Sequence, residues 1–445
     1  MIKNCSRLRI LALALACTLS ISTRAETLAD VYRLAKEHDP AYRAMRSEFE
    51  ATEFARKEAR AGLLPTISLG YTRSQINQNI SQSENQVFDT GQAKYPTTEQ
   101  TLTITQPIFR IGAWRRYQQA KASEKQAAAA WAAAEQDLIM RTATAYLAVL
   151  AAQDALALAK GELESIKRQL DLAQEKYKSG QVTVVNLHDA RARTALKESE
   201  VIAAENELAD KLQALREIIG RIPAGFSRLP ENIPLVEPEP RDPEQWVATS
   251  LAGNLLLEAR LMAVEVARRE IGRQKAGYWP TLDLSLSRNV SDTGGSLFGG
   301  GSKVNTNEMM LRLTVPLYEG GATSALTGQA VKHHETALED LERDRRQVER
   351  QARAAYQGVT GGMVRVDALK QSVKALESAK KLKEEGYKAG LTTMLGVLDA
   401  ERDLYAARRD AAQARYDYQL NVLRLKQAAG TLSEEDLLHL SRLME

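Results

Sequence analysis

The sequence predicts a mainly α-helical chain that carries a few membrane-type β-strands, with the whole plan written twice. Three observations point there. Of the 12 prolines, six fall between Pro223 and Pro243, and stretches 108–222 and 317–445 contain none. Proline costs about 3 kcal/mol inside a helix, so both stretches can hold very long helices. The hydrophobic period switches from that of a helix to that of a strand in four short segments. Finally, motifs of the first half recur in order in the second. Charged residues make up 26% of the chain and aromatics 5%, which is less aromatic sequence than a compact enzyme of this length carries around its site. An apolar share of 44% argues against disorder, and no segment beyond the N-terminal leader strings together 18 uncharged apolar residues.

Residues 1–25 read as a secretory leader. Lys3, Arg7 and Arg9 precede the apolar run 10–16, and Thr23-Arg24-Ala25 offers small residues for cleavage before Glu26. Both cysteines, Cys5 and Cys17, lie inside the leader, so the exported chain must be held by packing alone. Ala14-Leu15-Ala16 is a poor match to the pattern that precedes a lipid-attachment cysteine at position 17. Removing the leader changes 60 basic against 57 acidic residues into 56 against 57. The basic stripe required for nucleic acid is therefore missing.

The repeat sets the domain plan. Ala61-Gly-Leu-Leu-Pro-Thr66 returns as Ala276-Gly-Tyr-Trp-Pro-Thr281, and Thr103-Ile-Thr-Gln-Pro-Ile-Phe109 as Arg312-Leu-Thr-Val-Pro-Leu-Tyr318. Ala145-Tyr-Leu-Ala-Val149 matches Ala355-Tyr-Gln-Gly-Val359, and the Tyr-Lys-x-Gly core at Tyr177 matches that at Tyr387. Repeat 1 spans 26–222, a proline-rich linker 223–242, repeat 2 243–430, and a tail 431–445.

Each repeat opens with a helix, over 27–62 and 243–277, whose apolar residues recur at helical spacing. The period then becomes two. Segments 66–72, 101–105, 281–287 and 311–315 alternate apolar with small or polar residues, as a tilted membrane strand does. The intervening 75–97 and 289–307 are polar and read as exposed loops. Alternation alone would also suit one face of a soluble sandwich. The leader and the helix lengths favour the envelope.

Four strands cannot close a barrel, and an unpaired edge cannot sit in lipid. Two copies would supply 8 strands and three would supply 12. The positions facing inward (Thr66, Ser68, Gly70, Thr72, Thr281, Asp283, Ser285, Ser287) are small or polar, which favours a wet lumen and three copies. Beyond the strands, Ala-rich helices run from Gly112 to Tyr177 and from Thr323 to Tyr387, each reaching roughly 100 Å at 1.5 Å per residue. Gly358, Gly361 and Gly362 suggest a local break in the second. Gly180 and Gly390 stop the helices, and return helices end near Gly220 and Gly430.

These motifs resemble the TolC family of trimeric outer-membrane channel-tunnels. The likeness rests on the Glu26-Thr-Leu start, Ala61-Gly-Leu-Leu-Pro-Thr66, Gln106-Pro-Ile-Phe109, Val315-Pro-Leu-Tyr-Glu-Gly-Gly321, Tyr387-Lys-Ala-Gly390, Val397-Leu-Asp-Ala400 and the two-fold repeat. It covers nearly the whole exported chain. The resemblance implies a homotrimer with a 12-stranded barrel in outer-membrane lipid. Below it would come an α-helical barrel reaching into the periplasm, with a belt to which the linker and the 431–445 tail contribute. It further implies a passive exit duct joined through a periplasmic adaptor to an inner-membrane pump, either an ABC exporter or an RND-type pump. The opening residues and Asp39-Pro40 resemble members assigned to type I protein secretion; multidrug efflux is the alternative, and a structural coiled-coil envelope protein is the reading from another class.

The resemblance also marks candidate residues. Asp399 matches an acid that lines the closed periplasmic tip, Asp189 holds the equivalent place in repeat 1, and Gly396 stands where a second acid often occurs. An acid near a helix N-terminus is also simply favoured by the dipole, and for Asp189 that plain account is preferred. Tyr387 and Tyr177 retain the family's tip tyrosines. Thr392 and Asn186 replace its latching arginine and acidic partner, so closure is expected to rest on Tyr387 hydrogen bonds and packing. Gly180, Gly390, Lys178 and Lys388 are the candidate adaptor contacts. The five histidines lack metal spacing and no P-loop or nucleophile motif is present, so no cofactor, metal or enzymatic activity is expected.

Overall fold

The computed structural model describes residues 26–82, 91–295 and 300–444; the leader and both cysteines lie outside them. The chain forms two compact units, one built from 46–131 and 256–344, the other from the remainder.

In the second of these, α1 (Leu28–His38) starts on a reciprocal cap between Thr27 and Asp30. The opening helix expected over 27–62 is in fact two, because α2 (Pro40–Ala61) begins afresh at a proline. A residue before proline is driven out of the α region, and Asp39 turns to extended backbone. Its buried carboxylate then caps the Tyr42 N–H at 2.9 Å and meets the Arg141 guanidinium at 2.5 Å. Repeat 2 breaks at the matching place without a proline. There α5 (Pro243–Gly253) ends at Asn254, whose amide donates to the Ala428 carbonyl at 3.0 Å, and α6 (Leu255–Lys275) resumes before a single 3-10 turn, Ala276–Tyr278.

The long helices are α3 (Ile111–Lys178) and α7 (Ala322–Lys388), with return helices α4 (Val184–Ile219) and α8 (Met394–Ala428). The most apolar part of α3 is core: Leu138, Ile139, Tyr146, Leu147, Val149 and Leu150 are fully buried. Tyr146 accepts from the Ser227 N–H at 2.9 Å and points its proton between the Glu26 and Ser227 carbonyls at 2.9 and 3.1 Å. It thereby ties the chain start to the linker. The Tyr418 hydroxyl does the same at Val236, donating to its carbonyl and accepting from its N–H. Helix α9 (Glu434–Arg442) buries Leu437 and Leu440 and packs on α1.

The expected break in α7 does not occur; the helix is continuous through Gly358, Gly361 and Gly362. A Cβ at Gly358 would stand 3.0 Å from Asn421, and one at Gly362 3.5 Å from Tyr418. Two of the three glycines therefore let α8 approach closely, and the helix bonds themselves need no interruption.

The other unit holds the four-stranded antiparallel sheet, β1 (Thr66–Ile80), β2 (Gly91–Arg110), β3 (Thr281–Thr293) and β4 (Ser302–Thr314), in that order. The central pairing, β2 with β3, joins the two repeats. The strands extend well into the segments expected as loops, since a ladder of backbone bonds needs no apolar side chains to continue. Pro96, inside β2, pairs with Gln75 and sits just past the end of the β3 ladder, where the carbonyl of Pro96 accepts from Gly294.

Candidate functional site

Register gives the sheet two unlike faces. Ile67 and Leu69 of β1 lie opposite Ile104 and Leu102 of β2; Leu284 and Leu286 of β3 lie opposite Leu311 and Met309 of β4. Ile104 and Leu284 are half-buried and the others are exposed, Leu69 by 76%, Met309 by 74% and Leu311 by 64%. The opposite face carries Thr66, Ser68, Gly70 and Thr72, paired with Thr105, Thr103, Thr101 and Glu99, and continues through Asp283, Ser285 and Ser287. A bulge between Pro107 and Phe109 inserts one residue, Ile108, into β2. Without it Phe109 would point to the polar face; with it Phe109 opposes Leu282 and Arg110 opposes Thr281. Arg110 then reaches Asp283 at 2.6 Å on the polar face. Among the described residues, both outer strands, β1 and β4, present a free edge.

The second constellation is at the hairpin turns. Both turns close identically, with Gly180 and Gly390 left-handed at φ 74° and 75°. Gln181 and Leu391 donate back five residues to Lys176 and Gly386, satisfying the last helix carbonyls. Lys178 and Lys388 are exposed in the final helical turns. On the return side Thr393 caps α8 by accepting from the Gly396 N–H at 3.2 Å, and a Cβ on Gly396 would meet the Thr392 hydroxyl at 3.0 Å. Thr392 also stands over Gly386.

Within one chain the two hairpins are joined. Ile166, Ala173 and Ala190 of repeat 1 pack with Met394 and Leu398 of repeat 2, and Tyr387 lies against this cluster. Lys176 Nζ sits 4.2 Å from the Tyr387 ring centre, a cation–π contact. The Tyr387 hydroxyl is buried without a hydrogen-bond partner in the isolated chain. Asp399 accepts from Arg193 of α4 at 2.9 Å, with Arg402 at 3.6 Å. Asp189 is exposed, Asn186 is half-buried and Tyr177 is 44% exposed.

A buried ionic layer that the sequence motifs do not mark lies one to two turns further along. Glu162 of α3 meets Lys197 of α4 at 2.8 Å, with side chains only 8% and 12% exposed. Burial raises the Glu162 carboxyl above its usual range, against the pull of Lys197. Burial would lower the Lys197 ammonium, but Glu162 and Glu200 raise it. Glu401 of α8 is fully buried; it takes Lys380 at 3.2 Å and the Ser165 hydroxyl. A signal existed: Glu401 falls in the apolar stripe Met394, Val397, Leu398, Leu404, where a carboxylate must find a partner.

Residues 31–221 and 246–431 match the family model described as outer membrane efflux protein. The outer membrane protein TolC of Vibrio cholerae is 32% identical over 427 residues, covering 95% of this chain and 94% of that one. The proteases secretion protein PrtF of Dickeya chrysanthemi is 30% identical over 427 residues, covering 94% and 91%. Among solved structures, the Campylobacter jejuni CmeC outer membrane channel superposes with a TM-score of 0.78 over 94% of this chain and 90% of its own, at 16% identity; it shares the fold.

Proposed function

Since the chain belongs to the outer membrane efflux protein family, we propose that it is the exit duct of a tripartite export system. It is an outer-membrane channel protein and not an enzyme. The observation that carries the duct reading is the two-faced sheet with free edges. Rows of exposed leucine, isoleucine and methionine on one face suit lipid, while the threonine and serine rows suit a wet lumen. Edges at β1 and β4 demand closure against other copies, and three chains complete a barrel of 12 strands. The helical hairpins then form the tunnel, with linker and tail in its belt. Asp399 contributes an acidic ring at the closed tip, with Asp189 and Gly396 in its neighbourhood. Tyr387, Tyr177, Thr392 and Asn186 line the closing contacts. A periplasmic adaptor docks around Gly180, Gly390, Lys178 and Lys388 and links the duct to an inner-membrane pump.

Type I protein secretion through an ABC exporter is the preferred cargo route. The secretion protein PrtF supports it by likeness over nearly the full chain. The family's efflux description favours the second reading, small-molecule efflux with an RND-type pump. A deletion strain separates them: loss of secreted proteins with unchanged drug sensitivity supports secretion, and the reverse supports efflux. Purified chain that gives no single-channel conductance in planar bilayers would sink the duct itself.

A further inference from the structure

We infer that the apolar face of the sheet carries, near its turns, a binding site for the phosphate-bearing headgroups of membrane lipids. This rests on the reading that the same face meets lipid. The strand register puts one cation from each strand on that face: Arg73 of β1, Lys94 of β2, Arg288 of β3 and Lys303 of β4. All four are exposed; Arg288 stands in the leucine row opposite Leu102, and Arg73, Lys303 and Lys94 lie between the leucine rows and the turns. Among the described residues of these strands, Asp292, opposite Lys303, is the one carboxylate on this face. Glu99, Asp283 and Glu308 all fall on the other.

The helix-side half of the face is different. Ile67, Ile104, Leu282 and Leu313 occupy it with no charge among them, and Trp279 and Tyr318, 53% and 87% exposed, flank it. The charge on this face is thus confined to the half that begins at Arg288 and runs towards the turns, where the exposed Tyr71 also lies. A band equally suited to two identical leaflets would not need that polarity. On the duct reading the turns face the exterior, so the cations meet the outer leaflet.

A shape accompanies the charge. A depression of about 350 Å³ between β2, β3 and β4 is lined by Leu102, Ile104, Leu286 and Met309 together with Ser287, Arg288, Asn307 and Glu308; the Glu308 carboxylate pairs in register with Ser287, and Arg288 with Asn307. An acyl chain fits the leucine-lined floor while its phosphate meets the guanidinium, which offers paired donors to two phosphate oxygens. Arg73 and Lys303 share one row four residues nearer the turns than Arg288, and Lys94 lies four residues beyond that row, within reach of neighbouring headgroups.

The test uses the full chain in phosphatidylcholine vesicles doped with spin-labelled phosphatidic acid or spin-labelled phosphatidylcholine. A cation held near an anionic surface contributes about fivefold in association. The protein is therefore expected to restrict phosphatidic acid several-fold more than phosphatidylcholine. That preference should fall to near parity in Arg73→Gln/Lys94→Gln/Arg288→Gln/Lys303→Gln and fall partly in Arg288→Gln alone. Arg312→Gln, on the opposite face, should leave it intact. A wild-type chain that restricts both labels equally, or a preference that survives the quadruple change, overturns the headgroup site while leaving the membrane reading standing. If the wild-type chain restricts neither label, the membrane reading and the site fall together.

Discussion

The Arg193–Asp399 pair links the two hairpins of one chain, and breaking it should favour the open duct. The donor–acceptor distance is 2.9 Å, and the side chains are 26% and 36% exposed. A pair so placed is partly screened and contributes about 0.5–1 kcal/mol. If three chains open together the effect triples, to about 1.5–3 kcal/mol, or roughly 10- to 150-fold in the open-to-closed ratio. Arg193→Gln does not strand Asp399, because Arg402 remains at 3.6 Å. We expect Arg193→Gln and Asp399→Asn each to raise open probability in planar bilayers, and the double change to add little to either. Selectivity should split them: Arg193→Gln uncovers negative charge and strengthens cation preference, whereas Asp399→Asn weakens it. Both gating effects should shrink in high salt. Independent, multiplicative effects of the two changes on opening, or unchanged selectivity in both, would refute the assignment of the pair to the closed tip.

Further outcomes follow from the same geometry. Gly430→Ala places a Cβ 1.8 Å from the Gly253 carbonyl oxygen, at φ 72°, and should abolish folding or lower the unfolding midpoint sharply; Gly180→Ala, at φ 74° in open space, should cost only about 1–2 kcal/mol. Circular-dichroism melts compare them. Burial holds the Tyr32 and Tyr146 hydroxyls up to about 12 from an ordinary 10. A neutral phenol in the fold that would ionise when unfolded means stability is complete below about pH 10 and lost as pH rises towards 12. Phenolate absorbance should therefore appear together with unfolding, and early titration of every tyrosine would contradict the buried placement. Lys178→Glu and Lys388→Glu should impair assembly with the adaptor and pump, read as lost export with intact oligomers; normal export in both would remove the docking assignment.

The sequence by itself determined the element types and their order. Proline spacing, the change of hydrophobic period and the repeated motifs are properties of neighbouring residues, and a helix or a strand is dictated by such local periodicity. Gly180 and Gly390 stand out in the same pattern as helix stops, whereas Asp399 was marked by the family resemblance. It misjudged the polar strand ends and the Gly358–Gly362 region, because composition does not reveal whether backbone pairing continues or whether another helix needs the space. What only the tertiary structure decided is who faces whom: β2 beside β3, Asp399 on Arg193, Glu401 with Ser165 and Lys380, and Gly430 against Gly253 where Gly180 meets nothing. Gly180 and Gly430 look alike in sequence, each ending a helix with positive φ. They differ in cost because steric overlap and charge pairing depend on atoms hundreds of residues away along the chain, which local pattern does not encode.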